Sequence, residues 1–422
     1  MHAPVPEPAR TRRSDLPYRL LLLGLLSAVY MLNYTDRMVL PLLMPEMNRE
    51  LGFSDSQIGQ ITGSLFPIVY SVMSIVFAIL ADRVDRIRLL AFTTILFSLT
   101  TAACGLVEGF WTLMLVRVGV GAGEAGSAPP SLSLIADHFE GPSRQIANFV
   151  YVSALVVGML FAYGGVGAVS VWYGWRMGFY AAGAVGVVIG LCVLVFLRDN
   201  RKSAPLLSDL PRRSGRFRDL ARNGPFLWAV LVAAFSTMLS MAPSQWLPLY
   251  LSRSLEMSQS DISLLLGTYF TLFSFVGLVL GAWLASRLRR MSVGMPQLAG
   301  VLMVVVMTLG YLATFTVHDI TVARVSLALV SLVSLLAYGS LLAYVQDVTE
   351  PENHSKASGI MFVAMALGFS MGTMATGFLS DLLKPTYGAD ALGAAVLPVV
   401  VVAGLIAGGA YYMMYHTTRH RH

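Results

Sequence analysis

Segments of roughly 20 apolar residues recur along this entire chain, each long enough to cross about 30 Å of hydrocarbon at 1.5 Å per residue. Twelve can be counted, at approximately 17–47, 56–81, 88–108, 110–137, 145–172, 175–198, 226–252, 260–286, 293–316, 319–349, 354–384 and 391–416. A chain of 422 residues with 56% hydrophobic and only 12% charged residues exceeds what a soluble globule of this size usually carries. The bilayer is therefore its solvent, and the fold class predicted is an all-α membrane protein.

The net charge of +6 could point to nucleic acid, but the basic residues fall in alternate loops, as positive-inside topology requires. One side collects Arg10, Arg12, Arg13 and Arg19, then Arg83, Arg86 and Arg88, Arg144, the stretch from Arg198 to Arg222, Arg287, Arg289, Arg290, Lys356, Arg419 and Arg421. The other side has only Arg49, Arg176, Arg253 and Lys384. Both termini are expected in the cytoplasm of a cell whose inner membrane holds the protein, with no nucleic-acid partner. The leader before the first span lacks a cleavage pattern, and that span exceeds a signal-peptide core. Cys104 and Cys192 lie within spans and have no metal-ligand spacing.

The one extended polar stretch divides the chain into a six-helix bundle over 1–198, a cytoplasmic linker over 199–225 and a second six-helix bundle over 226–422. The halves share a repeat, since Ala78-Ile79-Leu80-Ala81-Asp82-Arg83 corresponds to Ala282-Trp283-Leu284-Ala285-Ser286-Arg287. Such parallel repeats place a substrate site near the membrane midplane between halves that rock about it. No Walker A sequence, kinase set or Cys/His array is present, so neither an enzyme nor a resident cofactor or metal is expected, and an ion gradient or facilitation would drive transport.

Asp36 and Arg37 lie inside the first span, where a charge costs at least about 2.5–3.5 kcal/mol on insertion scales and normally faces a partner or watery cavity. Arg117 and Glu124 form a second such set in span 4, seven residues and so nearly two turns apart, on one face. The glycines between them admit a neighbouring helix or a ligand. Two acids and two bases suit pairs that break and reform as a substrate or proton arrives; a permanent salt bridge is the bland alternative, and buried pairs are weak evidence for stability. Asp36 and Arg37 stand about 100° apart on a helix, so they cannot face one point equally well. Glu124 and Asp36 are the candidate proton carriers, Arg37 and Arg117 the candidate substrate contacts. Tyr163, before Gly164 and Gly165, is a further contact candidate. Pro129 and Pro130 should break or bend span 4, and Gly368, Gly372 and Thr376 form a helix-packing stripe. The C-terminal half offers Gln245, Trp246, Tyr269, Tyr338, Tyr344 and Gln346, a more neutral wall.

Twelve spans, Asp82-Arg83 after span 2, Arg117 in span 4 and Gly174-Trp175-Arg176 before span 6 resemble the major facilitator superfamily over the whole chain. Asn33-Tyr34-x-Asp36-Arg37, Arg117-x-x-x-Gly121-x-Gly123-Glu124-Ala125 and Leu134-Ile135-Ala136-Asp137-x-Phe139 resemble its spinster members, transporters of sphingolipids and lysophospholipids. The resemblance implies that Asp36, Arg37, Arg117 and Glu124 are cavity charges, with Tyr34 and Tyr163 as supporting contacts and Asp82 with Arg83 as a cytoplasmic gate. Ala78, Asp85 and the paired prolines depart from the family pattern. A proton-coupled carrier of an anionic lipid follows, surrounded by membrane lipids and expected to be a monomer. The alternative is a symporter of small organic anions, because Tyr-x-Asp-Arg and the span-4 Arg and Glu-Ala also resemble the anion:cation symporter group.

Overall fold

The computed structural model describes residues 16–81, 83–199, 217–291, 294–334 and 338–419. The N-terminal half runs α1 Leu16–Leu51, α2 Asp55–Gly63, α3 Leu65–Ala81, α4 Arg86–Ala103, α5 Phe110–Glu124, α6 Ala128–His138, α7 Gly141–Leu160, α8 Gly167–Tyr173 and α9 Trp175–Phe196. After the short α10, Phe217–Arg222, come α11 Gly224–Arg253, α12 Gln259–Leu265, α13 Thr271–Met291, α14 Met295–Thr316, α15 Ile320–Ser334, α16 Tyr338–Val348, α17 His354–Tyr387 and α18 Ala391–Arg419. Two predicted spans consist of two pieces, α2 with α3 and α5 with α6, and in a third α15 and α16 flank residues 335–337, which lie outside the described residues. Two more continue through a π-helical turn, α7 into α8 through Phe161–Val166 and α12 into α13 through Leu266–Phe270. Joined this way the elements make the twelve predicted crossings. Among the described residues nine stretches are long and apolar enough to cross a membrane, the last of which, Lys356–Arg419, contains both α17 and α18. The expected linker falls largely on residues 200–216, outside the described residues.

Lipid tails are as apolar as leucine, so helices here associate through close packing rather than a hydrophobic drive. Glycine supplies the closeness. Gly158 of α7 lies against the Met31 carbonyl of α1, and Gly368 of α17 lies against the Ala234 carbonyl of α11; a Cβ would collide at either place. Gly372 packs on Met238 and Ala242, so the stripe in α17 is a helix contact, as expected. The Gly174-Trp175-Arg176 motif is a corner. Gly174 has φ +83°, while Trp175 and Arg176 both donate to Glu50 at the end of α1, at 2.8 and 2.6 Å.

The internal repeat is visible in the backbone. Ser54 caps α2 and Ser258 caps α12, each accepting from a backbone N–H of the first turn. The residues just before, Gly52 and Glu256, both have positive φ, +65° and +51°. The chain kinks at Gly63-Ser64 in one half and becomes π-helical around Gly267-Thr268 in the other, at matching positions. One end of the bundle carries the first and last described residues and α10; the opposite, far end carries the turns at Gly52, Gly109, Gly174, Glu256 and Gly388.

Candidate functional site

The adjacent charges of α1 go to different partners. Asp36 Oδ2 accepts from Arg117 Nη1 of α5 at 2.7 Å, and its Oδ1 accepts from the Thr101 hydroxyl of α4 at 2.5 Å. Arg37 Nε donates to Glu124 Oε2 at 3.0 Å. The seven-residue spacing along α5 thus presents a base and an acid to the same helix, and the 100° turn between Asp36 and Arg37 sorts them into two pairs. The pairs differ in access. Asp36 and Arg117 are 2% and 4% exposed, whereas Glu124 is 0% exposed and its partner Arg37 is 28% exposed. Only the second pair offers an open charge.

Aromatic rings frame that charge. The Arg37 guanidinium lies 5.6, 5.7 and 5.0 Å from the ring centres of Tyr34, Phe66 and Tyr70, and Arg117 lies 4.9 Å from the same Phe66 ring. Such cation–π contacts contribute about 0.5–2 kcal/mol each, more when desolvated. Phe66 comes this close because Gly121 of α5 has no side chain: a Cβ there would lie 3.2 Å from the Phe66 ring. Gly119, Gly123 and Gly126 press on Thr100, Phe97 and Thr93 of α4 in the same way. The span-4 glycines therefore admit neighbouring helices.

Glu124 ends α5. Ser127 in the following turn donates to the Glu124 carbonyl at 2.7 Å and accepts from Asn33 Nδ2 at 2.5 Å. Pro129 and Pro130 occupy the first turn of α6, so the break expected at the prolines lies just before them, at Ala125–Ser127. Proline fits there because a helix's first N–H groups have no intrahelical partner. Glu124 Oε1 is buried without a hydrogen-bond partner among the described residues.

Tyr163 is buried in the π-helical turn, its hydroxyl on Met38 Sδ at 3.3 Å and its ring edge-on to Phe270 of the other half. Trp246 is 1% exposed and donates to the Thr373 carbonyl at 3.2 Å, which makes it a packing residue. Of the expected gate, Asp82 lies outside the described residues and Arg83 is exposed in a turn. Its neighbour Arg86 is the buried member: it bonds Asp199 through two nitrogens, at 3.0 and 2.7 Å, Asp137 at 2.6 Å and Ser133 at 2.7 Å. Asp199, at the edge of the expected linker, is thus held against the N-terminal bundle by Arg86.

Sequence reading did not find Thr101, Phe66, Tyr70 or Ser127. Their types are ordinary inside apolar spans, and only Phe66, four residues from Tyr70 and hence on one helix face, carried a signal.

Against known proteins, the sequence pattern of the Major Facilitator Superfamily matches residues 26–373. The chain belongs to that superfamily. It is a multi-pass membrane transporter rather than an enzyme. Among superfamily relatives, it is similar to an MFS-type efflux pump of Mycolicibacterium smegmatis, 30% identical over 92% of this chain and 91% of that protein. It is also similar to the sphingosine-1-phosphate transporter SPNS2 of Xenopus tropicalis, 25% identical over 86% of this chain and 74% of that one. The superfamily fold is matched by the crystal structure of a bacterial homolog of the human lysosomal transporter spinster, described as inward-facing and unoccupied. The TM-score is 0.82 at 23% identity, covering 95% of this chain and 98% of that one.

Proposed function

We propose that this protein is a proton-coupled secondary transporter that moves an anionic amphipath, a lysophospholipid or a sphingosine-phosphate-like lipid, by alternating access. The observation that carries the reading is the unequal exposure of the two ion pairs, with Arg37 open at 28% and Glu124 behind it at 0%. A substrate anion reaches Arg37 and competes with Glu124 for its guanidinium. Removing the counter-ion from a fully buried carboxylate leaves an uncompensated charge, which is strongly unfavourable; a proton on Glu124 removes it. Substrate capture and proton uptake are then linked, and the linkage is reciprocal. Asp36 is the second candidate carrier, held by Arg117 and Thr101. Tyr34 and Tyr163 support the substrate, apolar walls take its chain, and Asp82 with Arg83 gates the end nearer the termini. In this reading that end is cytoplasmic, the membrane is the inner membrane, residues 199–225 link two bundles, and one chain suffices. Similarity to a transporter named for sphingosine-1-phosphate supports the lipid class.

The test is flux into liposomes under an imposed proton gradient, with lysophospholipids and small sugar or aromatic acids offered in parallel. Accumulation of the lysolipid with proton co-movement is the expected result. Flux of the small acids alone would replace the lipid by a small organic anion.

A further inference from the structure

Among the described residues, the far end of the molecule is closed across the two halves by an ionic node on one seam and not on the other. Where α2 meets α17, the Asp55 carboxylate, 2% exposed, accepts from Arg253 Nη1 at 2.8 and 2.9 Å and from the Ser380 hydroxyl at 2.7 Å. The adjacent Asp381 carboxylate accepts the backbone N–H groups of Asp55 and Ser56 at 3.0 and 2.8 Å. Those two groups begin α2, where a helix has unpaired donors and a positive dipole end. Gly377 comes up against the Asp55 carbonyl, and Gly59 against Thr373, so the backbones are close enough for both carboxylates to reach across. Asp55 and Asp381 thus bind each other's halves reciprocally.

The repeat-related seam, where α8 meets α12, is built differently. Gln259 stands at the position matching Asp55, and its amide donates to the Leu42 carbonyl at 3.0 Å. Around it Gly167 faces Ser263, Gly267 faces Tyr163 and the Tyr163 ring meets Phe270, so the two π-helical turns pack on each other through small and aromatic groups. Apolar contact is non-directional and survives a change of angle. An ion pair around a buried carboxylate does not, because once parted it leaves an unpaired charge.

We propose that Asp55, Arg253 and Asp381 form the latch that holds the far end shut, and that opening starts at the α2/α17 seam and turns about the α8/α12 seam. This rests on the alternating-access reading, and its test needs no substrate. Nitroxide labels go at Gln60 and Thr386 for the first seam and at Tyr173 and Leu264 for the second, in a cysteine-free background reconstituted in nanodiscs, and distances are measured by pulsed electron resonance. In Asp55→Asn the long-distance population across the first seam should rise roughly tenfold relative to the parent, with a smaller change across the second. Exchanging the charges, Asp55→Arg with Arg253→Asp, should restore the parent distribution, which a merely structural role would not do. If Asp55→Asn fails to fold, Asp381→Asn, which removes only the bonds to the start of α2, is read in its place. Unchanged distances in a folded variant overturn the latch, and equal opening of both seams overturns the pivot. Flux of the same proteins in liposomes, with lysophospholipids and the small acids both offered, separates the two readings: unchanged distances in a variant whose parent transports condemn the latch alone, and no flux of either class in the parent condemns the transport reading on which the latch rests.

Discussion

At the residue scale, the division of four charges into a sealed pair and an open pair yields separate expectations. Arg37→Ala should abolish transport, and Arg37→Lys should restore little, because an ammonium lacks the planar fork that engages an oxyanion through two donors. Glu124→Gln should keep substrate binding and lose proton-driven accumulation; liposome flux with simultaneous proton recording checks both variants, and full coupled accumulation in Glu124→Gln would remove Glu124 as carrier. In the sealed pair, Thr101→Val deletes one hydroxyl donor to a buried carboxylate at nearly constant volume. Bonds to charged groups contribute about 1.5–3 kcal/mol, so the melting temperature in detergent should fall while Arg37-dependent binding persists. All four charges were legible in the sequence because ionised side chains are rare within apolar spans. Their pairing was half legible, from seven-residue spacing on α5 and adjacency on α1. Thr101 was not, since threonine in a span more often bonds its own preceding turn, as Thr93 and Thr100 do here.

At the element scale, the chain is interrupted where function would want it to be. Span 4 breaks at Ala125–Ser127, placing Glu124 at a helix terminus, and the prolines behind the break open the next helix. Because Pro129 occupies the first turn, Pro129→Ala should change stability by less than about 1 kcal/mol, in contrast to the roughly 3 kcal/mol attached to proline in a helix interior. Gly123→Val should do the opposite. A Cβ there would lie 2.7 Å from Phe97 Cβ and 2.8 Å from its backbone nitrogen, and such overpacking typically costs about 1–3 kcal/mol. Thermal unfolding of both variants in one detergent decides. Hydropathy made the twelve crossings legible because it sums over twenty residues. The kink at Gly63-Ser64 and the two π-helical turns were not legible, since each depends on what the helix meets across the half interface rather than on its own composition.

At the scale of the whole molecule, the far end is held across the halves by Asp55, Arg253 and Asp381, while the proposed gate lies at the end nearer the termini. Asp82→Asn should alter the balance between the two access states while leaving the intrinsic affinity at Arg37 intact, with apparent affinity changing only through that population shift. Distances between labelled halves at the termini end, measured with and without lysophospholipid, provide the check; an unchanged balance with direct loss of binding would remove Asp82 from the gate. The internal repeat adds a last consequence. Backbone features recur in both halves, yet among the described residues α11, the repeat of α1, carries no charge before Arg253 at its end, and α15, the repeat of α5, carries only Arg324, exposed near its start. On the proposed reading, energy conversion is lodged in the half that holds both ion pairs. A carrier built this way can be retailored to a new cargo by grafting or evolving its second half, with the engine in the first left untouched.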